Sequence, residues 1–347
     1  MKALLLSAYK QLEIVDMPAP MPAEGELLIR IRACGICGSD VHGYDGSTGR
    51  RLPPIVMGHE AAGFVEAVGS AVASFRPGDR VTFDSTVYCG KCFFCLRGQA
   101  NLCDNREVIG VSTPAFRRMG AFAEFVTVPA RIAYPLPDNM PFPHAAMIEA
   151  VSVAVHAVSL TPVELEDTVV VVGAGMIGLL TLQAVRLAGA GRVISLDIDD
   201  TRLELARSLG ATHTFNTRDT EAVPRILDQI HDLTNGRGAD AALECVGSTI
   251  PVKLALESIR KGGAVTLIGN IAPTIELGLQ SAVTRQIRLQ GSCASSGEYP
   301  ACISMIARGA IQIDPLISAV AALVDGPSWF DRLYKHEPGL LKIVLEP

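Results

Sequence analysis

The chain lacks any apolar run long enough to cross a bilayer, because polar residues interrupt each hydrophobic stretch before it nears the roughly 20 residues a spanning helix needs. Its start, Met1-Lys2-Ala3-Leu4-Leu5-Leu6-Ser7, holds too short an apolar stretch for a secretion signal. It also lacks a Lys/Arg-rich tract and aromatics interleaved with basic residues. With a formal charge of −6 it offers no footprint for nucleic acid or for an anionic membrane surface. Internal repeats, low-complexity tracts and long linkers are absent too, so solenoid and compositionally biased classes drop out. What is there is a chain of 347 residues, 49% apolar and 19% charged, which suits an ordinary globular protein of two domains. The expectation is a cytoplasmic protein whose partner is a small molecule.

Nine cysteines in a chain without a secretion signal are expected to be reduced, so a tight cluster among them points to metal before disulfides. Cys89, Cys92, Cys95 and Cys103 form C-x2-C-x2-C-x7-C in a loop containing Gly, Lys and Arg. Four thiolates so spaced can close a tetrahedron around zinc. An iron–sulfur cluster is the rival, but the ferredoxin spacing has three residues before its fourth cysteine and then a proline, neither of which occurs here. A site closed by four thiolates has no open position, so it is expected to be structural and to staple a lobe with little core of its own.

The first 150 or so residues read as short strands, at 27–32, 63–68 and 80–83, broken by turns such as Arg76-Pro77-Gly78-Asp79. That pattern predicts a β barrel or sandwich. From Thr168 onward, β-branched runs at 168–172, 192–196, 213–215, 239–245, 264–269 and 288–291 alternate with helical stretches, which predicts a parallel sheet covered by helices. The stretch 152–158 reads as a helix crossing between the two domains. The last fifty residues, with a helix over 299–308 and a strand over 342–345, leave the βα rhythm and are expected to return to the first domain. A cleft between domains is the expected location of a site.

Val169-Val170-Val171-Val172 runs into Gly173-Ala174-Gly175-Met176-Ile177-Gly178 and then an apolar helix. GxGxxG thus stands in strand–turn–helix context, where it cradles a dinucleotide pyrophosphate against the helix N-terminus. Gly173 suits the tight turn, Gly175 the approach of the pyrophosphate, and Gly178 the packing of helix on strand. The second strand ends in Asp197, nineteen residues past Gly178, where a carboxylate accepts hydrogen bonds from the adenosine ribose.

Two Gly-flanked segments of the first domain, Gly35-Ile36-Cys37-Gly38-Ser39-Asp40-Val41-His42 and Gly58-His59-Glu60, carry a thiolate, an imidazole and a carboxylate. These are zinc-ligand types. Either segment alone is more often structural, since buried Cys and satisfied core His are common. Cys34 ends an alternating strand and reads as structural, and Cys245, Cys293 and Cys302 lack companion ligands. So do His144, His156, His213, His231 and His336, which read as packing or surface residues.

Taken in order, Gly-Ile-Cys37-Gly-Ser-Asp, Gly58-His59-Glu60, the four-cysteine lobe, Ile148-Glu149-Ala150-Val151-Ser152 and Gly173-Ala174-Gly175 resemble the zinc-containing medium-chain dehydrogenase/reductase family. The likeness is to its sorbitol (polyol), galactitol-phosphate and threonine dehydrogenase branch. The resemblance implies an α/β chain: a GroES-like β-rich catalytic domain over 1–156, a Rossmann NAD-binding domain with a doubly wound parallel sheet over 157–294, and a C-terminal segment over 295–347 that returns to the catalytic domain. It implies two Zn²⁺ per chain, one catalytic and one structural, and NAD. Cys37 and His59 would be catalytic zinc ligands, with Glu60 or Glu149 completing the shell and Asp40 orienting His59 from behind.

The implied reaction is oxidation of a secondary alcohol to the ketone by hydride transfer, zinc acting as Lewis acid and Ser39 followed by His42 carrying the proton away. Ile177, Asp197 and Arg202 would hold the pyrophosphate and adenosine, while Ile268, Gly269, Asn270, Cys293, Ala294 and Ser295 would line the nicotinamide half. Where the sorbitol dehydrogenases carry Tyr after the relay His and an Arg near the last crossover, this chain has Gly43 and Ala294, so sorbitol itself is not the expected substrate. Tyr44, Ser295, Ser296 and Glu298 are candidate replacement contacts for a polyol, sugar acid or amino alcohol. A homodimer or homotetramer is the family's expectation. The rival readings are a zinc-free reductase on the same scaffold, which has no use for Cys37, His59 and the cysteine lobe, and a non-catalytic NAD- and zinc-binding protein.

Overall fold

In the computed structural model, which describes residues 1–347, the alternation of Ile29 and Ile31 with Arg30 and Arg32 becomes the strand Glu26–Gly35, its apolar side chains buried and both arginines exposed. A seven-stranded sheet forms around it. The order is Ala133–Pro135, Arg80–Phe83, Glu60–Val68, Glu26–Gly35, Lys342–Glu346 and Ile317–Ala322, with Phe125–Pro129 also paired to Glu26–Gly35. Lys2–Ala8, Gln11–Asp16 and Ile55–Val56 make one smaller sheet, and Thr86–Val87, Glu107–Ile109 and Arg117–Arg118 another.

By contacts the chain divides into two units, Met1–Glu149 with Ser296–Pro347, and Ala150–Ser295. The last segment belongs to the first unit because Lys342–Glu346 pairs antiparallel with Glu26–Gly35, Val344 opposite Gly35 and Leu345 opposite Cys34. Phe330 of that segment packs edge-on against Phe122 at 5.7 Å between ring centroids, in a core with Leu4, Leu27, Ile29, Phe83 and Ile343. Each such fully buried side chain contributes about 1.5–3 kcal/mol of hydrophobic stabilisation.

In the second unit the strand Thr168–Val172 is buried throughout, as a strand covered on both faces must be. It is central to a six-stranded parallel sheet of order His213–Asn216, Arg192–Asp197, Thr168–Val172, Ala239–Glu244, Ile259–Leu267, Arg288–Gly291. Numbered along the chain this is 3-2-1-4-5-6, the doubly wound order, whose ligands lie beyond the carboxyl ends of the strands. The crossing helix is longer than 152–158: it runs Ile148–Ser159, so Glu149 sits in its first turn. No helix is long and apolar enough to cross a membrane.

Candidate active site

Strand Glu26–Gly35 ends beside the C-terminal strand, and the chain turns through Ile36, whose N–H donates to Ile343 O at 2.9 Å. Cys37 then caps the helix Gly38–Tyr44. One turn in, the fully buried Asp40 accepts from the Cys37 N–H at 3.4 Å through Oδ2. The same oxygen lies 3.5 Å from His59 Nδ1. Strand Glu60–Val68 begins just after His59, so His59 and Glu60 emerge where the sheet starts. Sequence-distant residues meet here: the ligand atoms of Cys37, His59 and Glu60 all lie within 4.8 Å of one another.

Sulfur, nitrogen and oxygen donors of the kinds zinc prefers converge in this place. These residues fit a zinc ion. Burial opposes a charged His59, but the Asp40 carboxylate and the Cys37 sulfur outweigh it and lift the imidazole well above its usual range. Burial likewise opposes ionisation of Asp40, while His59 and Arg51 overcome it and hold the carboxyl below the ordinary carboxylate range.

Glu60 is 1% exposed and pairs with the equally buried Lys342, whose Nζ lies 2.5 Å from Oε2 and also donates to Ile36 O at 3.1 Å. Burial works against the Lys342 charge, yet the Glu60 carboxylate and the Cys37 sulfur more than offset it and raise the lysine's pKa. Glu149 stands outside the three-atom cluster, with Ser85 Oγ donating to its Oε1 at 3.5 Å. Burial pushes its pKa to about 7, with His59 opposing that rise and Glu60 and Asp84 adding to it. Asp84, raised by burial to about 6, accepts from the Thr86 N–H at 2.8 Å.

The second cluster joins Cys89, Cys92, Cys95 and Cys103, all as free thiols and with their sulfurs within 4.8 Å. Cys92 Sγ lies 3.5 Å from Cys95 Sγ and 3.9 Å from Cys103 Sγ. Zinc–sulfur arms of about 2.3 Å would give tetrahedral edges of about 3.8 Å, so these separations fit zinc. Backbone amides serve the sulfurs: the Cys89 and Asn105 N–H groups each donate to Cys103 Sγ at 3.3 Å. The Lys91 amide draws the pKa of Cys89 down to about 6. Phe93 and Leu96 of this lobe are 57% and 74% exposed, so it has little core to hold it.

In the second unit the expected cofactor residues gather at the carboxyl edge of the parallel sheet. Gly173 has φ +94°, and a Cβ on Gly178 would meet Gly173 O at 1.7 Å, whereas a Cβ on Gly175 would meet nothing within 4 Å. The turn therefore needs two of its glycines for itself and leaves open space over the third. Gly175 caps the helix Met176–Leu187 with no side-chain cap, so Ile177 and its neighbours offer free N–H groups, and the arrangement fits a pyrophosphate. Asp197 binds the turn from the next strand: Oδ2 accepts from Ala174 N at 2.5 Å, and Oδ1 from Ile198 and Asp199 N at 2.7 and 2.9 Å. Arg202 lies in the first turn of the following helix, Asp200–Ser208. Ile268, Gly269 and Asn270 follow strand Ile259–Leu267, where Gly269 packs on Gly247 so closely that a Cβ would lie 2.2 Å from its nitrogen. Cys293, Ala294 and Ser295 follow strand Arg288–Gly291, Ala294 at φ +51°.

Residues 23–138 match the alcohol dehydrogenase GroES-like domain, and residues 177–308 match the zinc-binding dehydrogenase family. The sorbitol dehydrogenase of Bacillus subtilis (strain 168) is 33% identical over 351 aligned positions that cover 100% of this chain and 97% of that one. The chain belongs to the zinc-dependent medium-chain dehydrogenase/reductase family. The D-arabitol-phosphate dehydrogenase of Enterococcus avium is 32% identical, covering 97% of this chain and 94% of the relative. A zinc-binding dehydrogenase of Sinorhizobium meliloti 1021, solved bound to NADP and described as putative, superposes with a TM-score of 0.88 at 32% identity, over 100% of this chain and 99% of that chain.

Against that family background the structure adds two residues that sequence reasoning missed, Lys342 and Arg51. Lys342 had a signal: a lone lysine in the apolar run Leu341-Lys342-Ile343-Val344-Leu345 needs a buried carboxylate. Arg51 had none. Each of the suggested substrate contacts is engaged or buried within the chain. Tyr44 is 8% exposed, donates to Lys10 O at 2.9 Å and packs against Phe330 and Tyr334. Ser296 donates to Gly98 O at 2.7 Å and accepts from Ala100 N at 3.0 Å, which ties it to the cysteine lobe, and Glu298 accepts from the Ser296 N–H. Ser295 is 3% exposed.

Proposed function

We propose that the protein oxidises a secondary alcohol of the polyol or sugar-alcohol class to the ketone, with NAD as acceptor, using one zinc at Cys37, His59 and Glu60 and a second, structural zinc on the four cysteines. The observation that carries this reading is the convergence of a thiol, an imidazole and a carboxylate on one buried point beside Ser39 and His42. When bound, zinc would supply Lewis acidity to the substrate hydroxyl and NAD would accept hydride. Ser39, at the start of the helix Gly38–Tyr44, is exposed and takes the hydroxyl proton; His42, one turn on, passes it to water. Asp40 holds the His59 ring so that its other nitrogen faces the metal position. Lys342 pairs with Glu60 and holds that carboxylate in place, and Glu149 is the carboxylate in reserve that can replace it. Ile177, Asp197 and Arg202 hold the pyrophosphate and adenosine, and 268–270 with 293–295 the nicotinamide half.

NAD is favoured over NADP because Asp197 puts a carboxylate where the 2′-phosphate would sit. We further place the protein in the cytoplasm, where its cysteines stay reduced, and as a homodimer or homotetramer, which the exposed apolar Leu279 and Val283, at 66% and 68%, support. The test is a panel of polyols, sugar alcohols and amino alcohols scored by NAD reduction, with zinc measured in the same preparation. Reduction with at least one secondary alcohol is expected. A preparation with two zinc ions and bound NAD that oxidises none of them is a non-catalytic binding protein.

A further inference from the structure

Arg51 is a buried cation that the reaction as drawn does not use. It is 3% exposed, and its neighbours fix the loop that carries it: the Leu52 N–H donates to Ser112 Oγ, and the Ser112 N–H to Arg50 O at 3.3 Å. The guanidinium enters the helix Gly38–Tyr44 from the side. Nε and Nη2 donate to Asp40 Oδ1 at 3.2 and 2.9 Å, and Nη2 also donates to Ser39 Oγ at 3.3 Å. The stem lies against Gly43, where a Cβ would stand 2.2 Å from Arg51 Cγ and 3.0 Å from Arg51 Cβ. Glycine at 43 is thus what makes room for the arginine.

We propose that Arg51 is a positioning residue, one guanidinium that locks the Asp40 carboxylate behind His59 and the Ser39 hydroxyl into a single rigid unit, with Gly43 as its seat. The inference rests on the roles given above to Ser39 and His59. Two N–H groups on Oδ1 leave Oδ2 turned toward Cys37 N and His59 Nδ1, so the carboxylate cannot rotate away from the imidazole. A hydroxyl oxygen that accepts from a guanidinium must direct its own proton elsewhere, which orients Ser39 away from Arg51. Only a planar fork can serve both groups at once. A lysine, as a point charge, can neutralise Asp40 without holding Ser39.

The test uses full-length, zinc-loaded protein and the variants Arg51→Met, Arg51→Lys and Gly43→Ala, each alone, and Arg51→Met combined with Ser39→Ala. Four readouts are taken: the rate at which a chelator removes the first zinc, the visible spectrum after cobalt(II) is exchanged into the Cys37 site, kcat with KM for NAD, and the thermal midpoint. Arg51→Met is expected to lose that zinc and to slow turnover by about 10–100-fold each, as removal of a partner behind a metal ligand does, with a shifted cobalt spectrum and an unchanged KM for NAD. Arg51→Lys should restore zinc retention and the spectrum but not kcat. Adding Ser39→Ala to Arg51→Met should cost less turnover than Ser39→Ala costs alone, because the share of the Arg51 effect that runs through the Ser39 hydroxyl is already lost. Gly43→Ala, which pushes on the stem while leaving the guanidinium in the sequence, should move the readouts in the same direction and carries the test if Arg51→Met does not fold. Unchanged zinc release and cobalt spectrum in Arg51→Met, with only the thermal midpoint lowered, would overturn the proposal, as would losses from Arg51 and Ser39 that multiply. If no alcohol is oxidised by the unaltered protein, the functional reading fails, and the chelator and cobalt readouts still decide the case of Arg51.

Discussion

Asp84 illustrates how one buried carboxyl sets a pH dependence. Its pKa in the folded chain is about 6 against 3.8 for a free side chain, because burial penalises the charge more than the Thr86 amide stabilises it. The folded state therefore holds the proton more tightly than the unfolded chain does. Stability from this group is fully present below the ordinary value and falls as pH rises through about 6. Asp84→Asn keeps an acceptor for Thr86 and removes the titration. It is expected to be more stable than the unaltered protein by on the order of 1–3 kcal/mol above pH 7, with no gain at pH 4, read by urea unfolding at both. A gain of equal size at both pH values would show that the carboxyl is not the cause. Asp197, by contrast, has two duties on the proposed reading. Because its oxygens also hold three backbone amides of the glycine turn and the following loop, Asp197→Ala should both narrow the NAD-to-NADP ratio of kcat/KM and weaken binding of either cofactor. A narrowed ratio with undiminished NAD affinity would mean that the amides find other partners.

At the scale of the element, the glycine turn separates fold from function within six residues. Gly178 is where the helix Met176–Leu187 touches the turn, and any side chain there collides with Gly173 O. Gly178→Ala is expected to destabilise the second unit by about 1–3 kcal/mol as overpacking does. Gly175→Ala meets no atom of the chain and should leave the thermal midpoint within a degree or two while raising the Kd for NAD at least tenfold, because the added methyl fills the space the pyrophosphate needs. Calorimetric titration with NAD together with thermal unfolding of both variants checks this. Equal loss of stability in the two would mean that the open space over Gly175 is structural.

For the molecule as a whole, two metal sites of different composition should be separable. On the proposed assignment, four thiolates would close one of them, whereas Cys37, His59 and Glu60 would make the other harder and leave a place for an exchanging ligand. A chelator is expected to remove zinc in two steps. The first should abolish turnover with circular dichroism unchanged, and the second should remove the cysteine-lobe zinc with loss of structure, since Phe93 and Leu96 show how little apolar packing holds that lobe. Loss of both ions, activity and structure in one step would refute the assignment of roles.

Short-range spacing carries much of this chemistry. Cys89, Cys92, Cys95 and Cys103 lie within one loop, and the glycines of 173–178 within one turn, so chain geometry alone brings their atoms together and a reader of the sequence can recognise them. The β-branched run 169–172 is legible for a related reason, since a strand buried on both faces has no polar side to show. Long-range pairing carries the rest. Lys342 reaches Glu60 across 282 positions only because the C-terminal strand pairs beside Glu26–Gly35, and that partnership ties up the carboxylate that the sequence could not rank against Glu149. Tyr44, polar and two residues after His42, looks like a substrate contact until the helix Gly326–Tyr334 is seen to cover it. Arg51 has no neighbour in sequence to mark it, and its role appears only where the fold turns its guanidinium onto Asp40 and Ser39 and leaves a glycine to seat it. Local spacing therefore decides which atoms can bind metal in the cysteine lobe and cofactor at the glycine turn, whereas Cys37 and His59 come together only in the fold. The charge partners that set the strength of that binding come from residues far apart in the chain, and only sheet pairing and core packing bring them into contact.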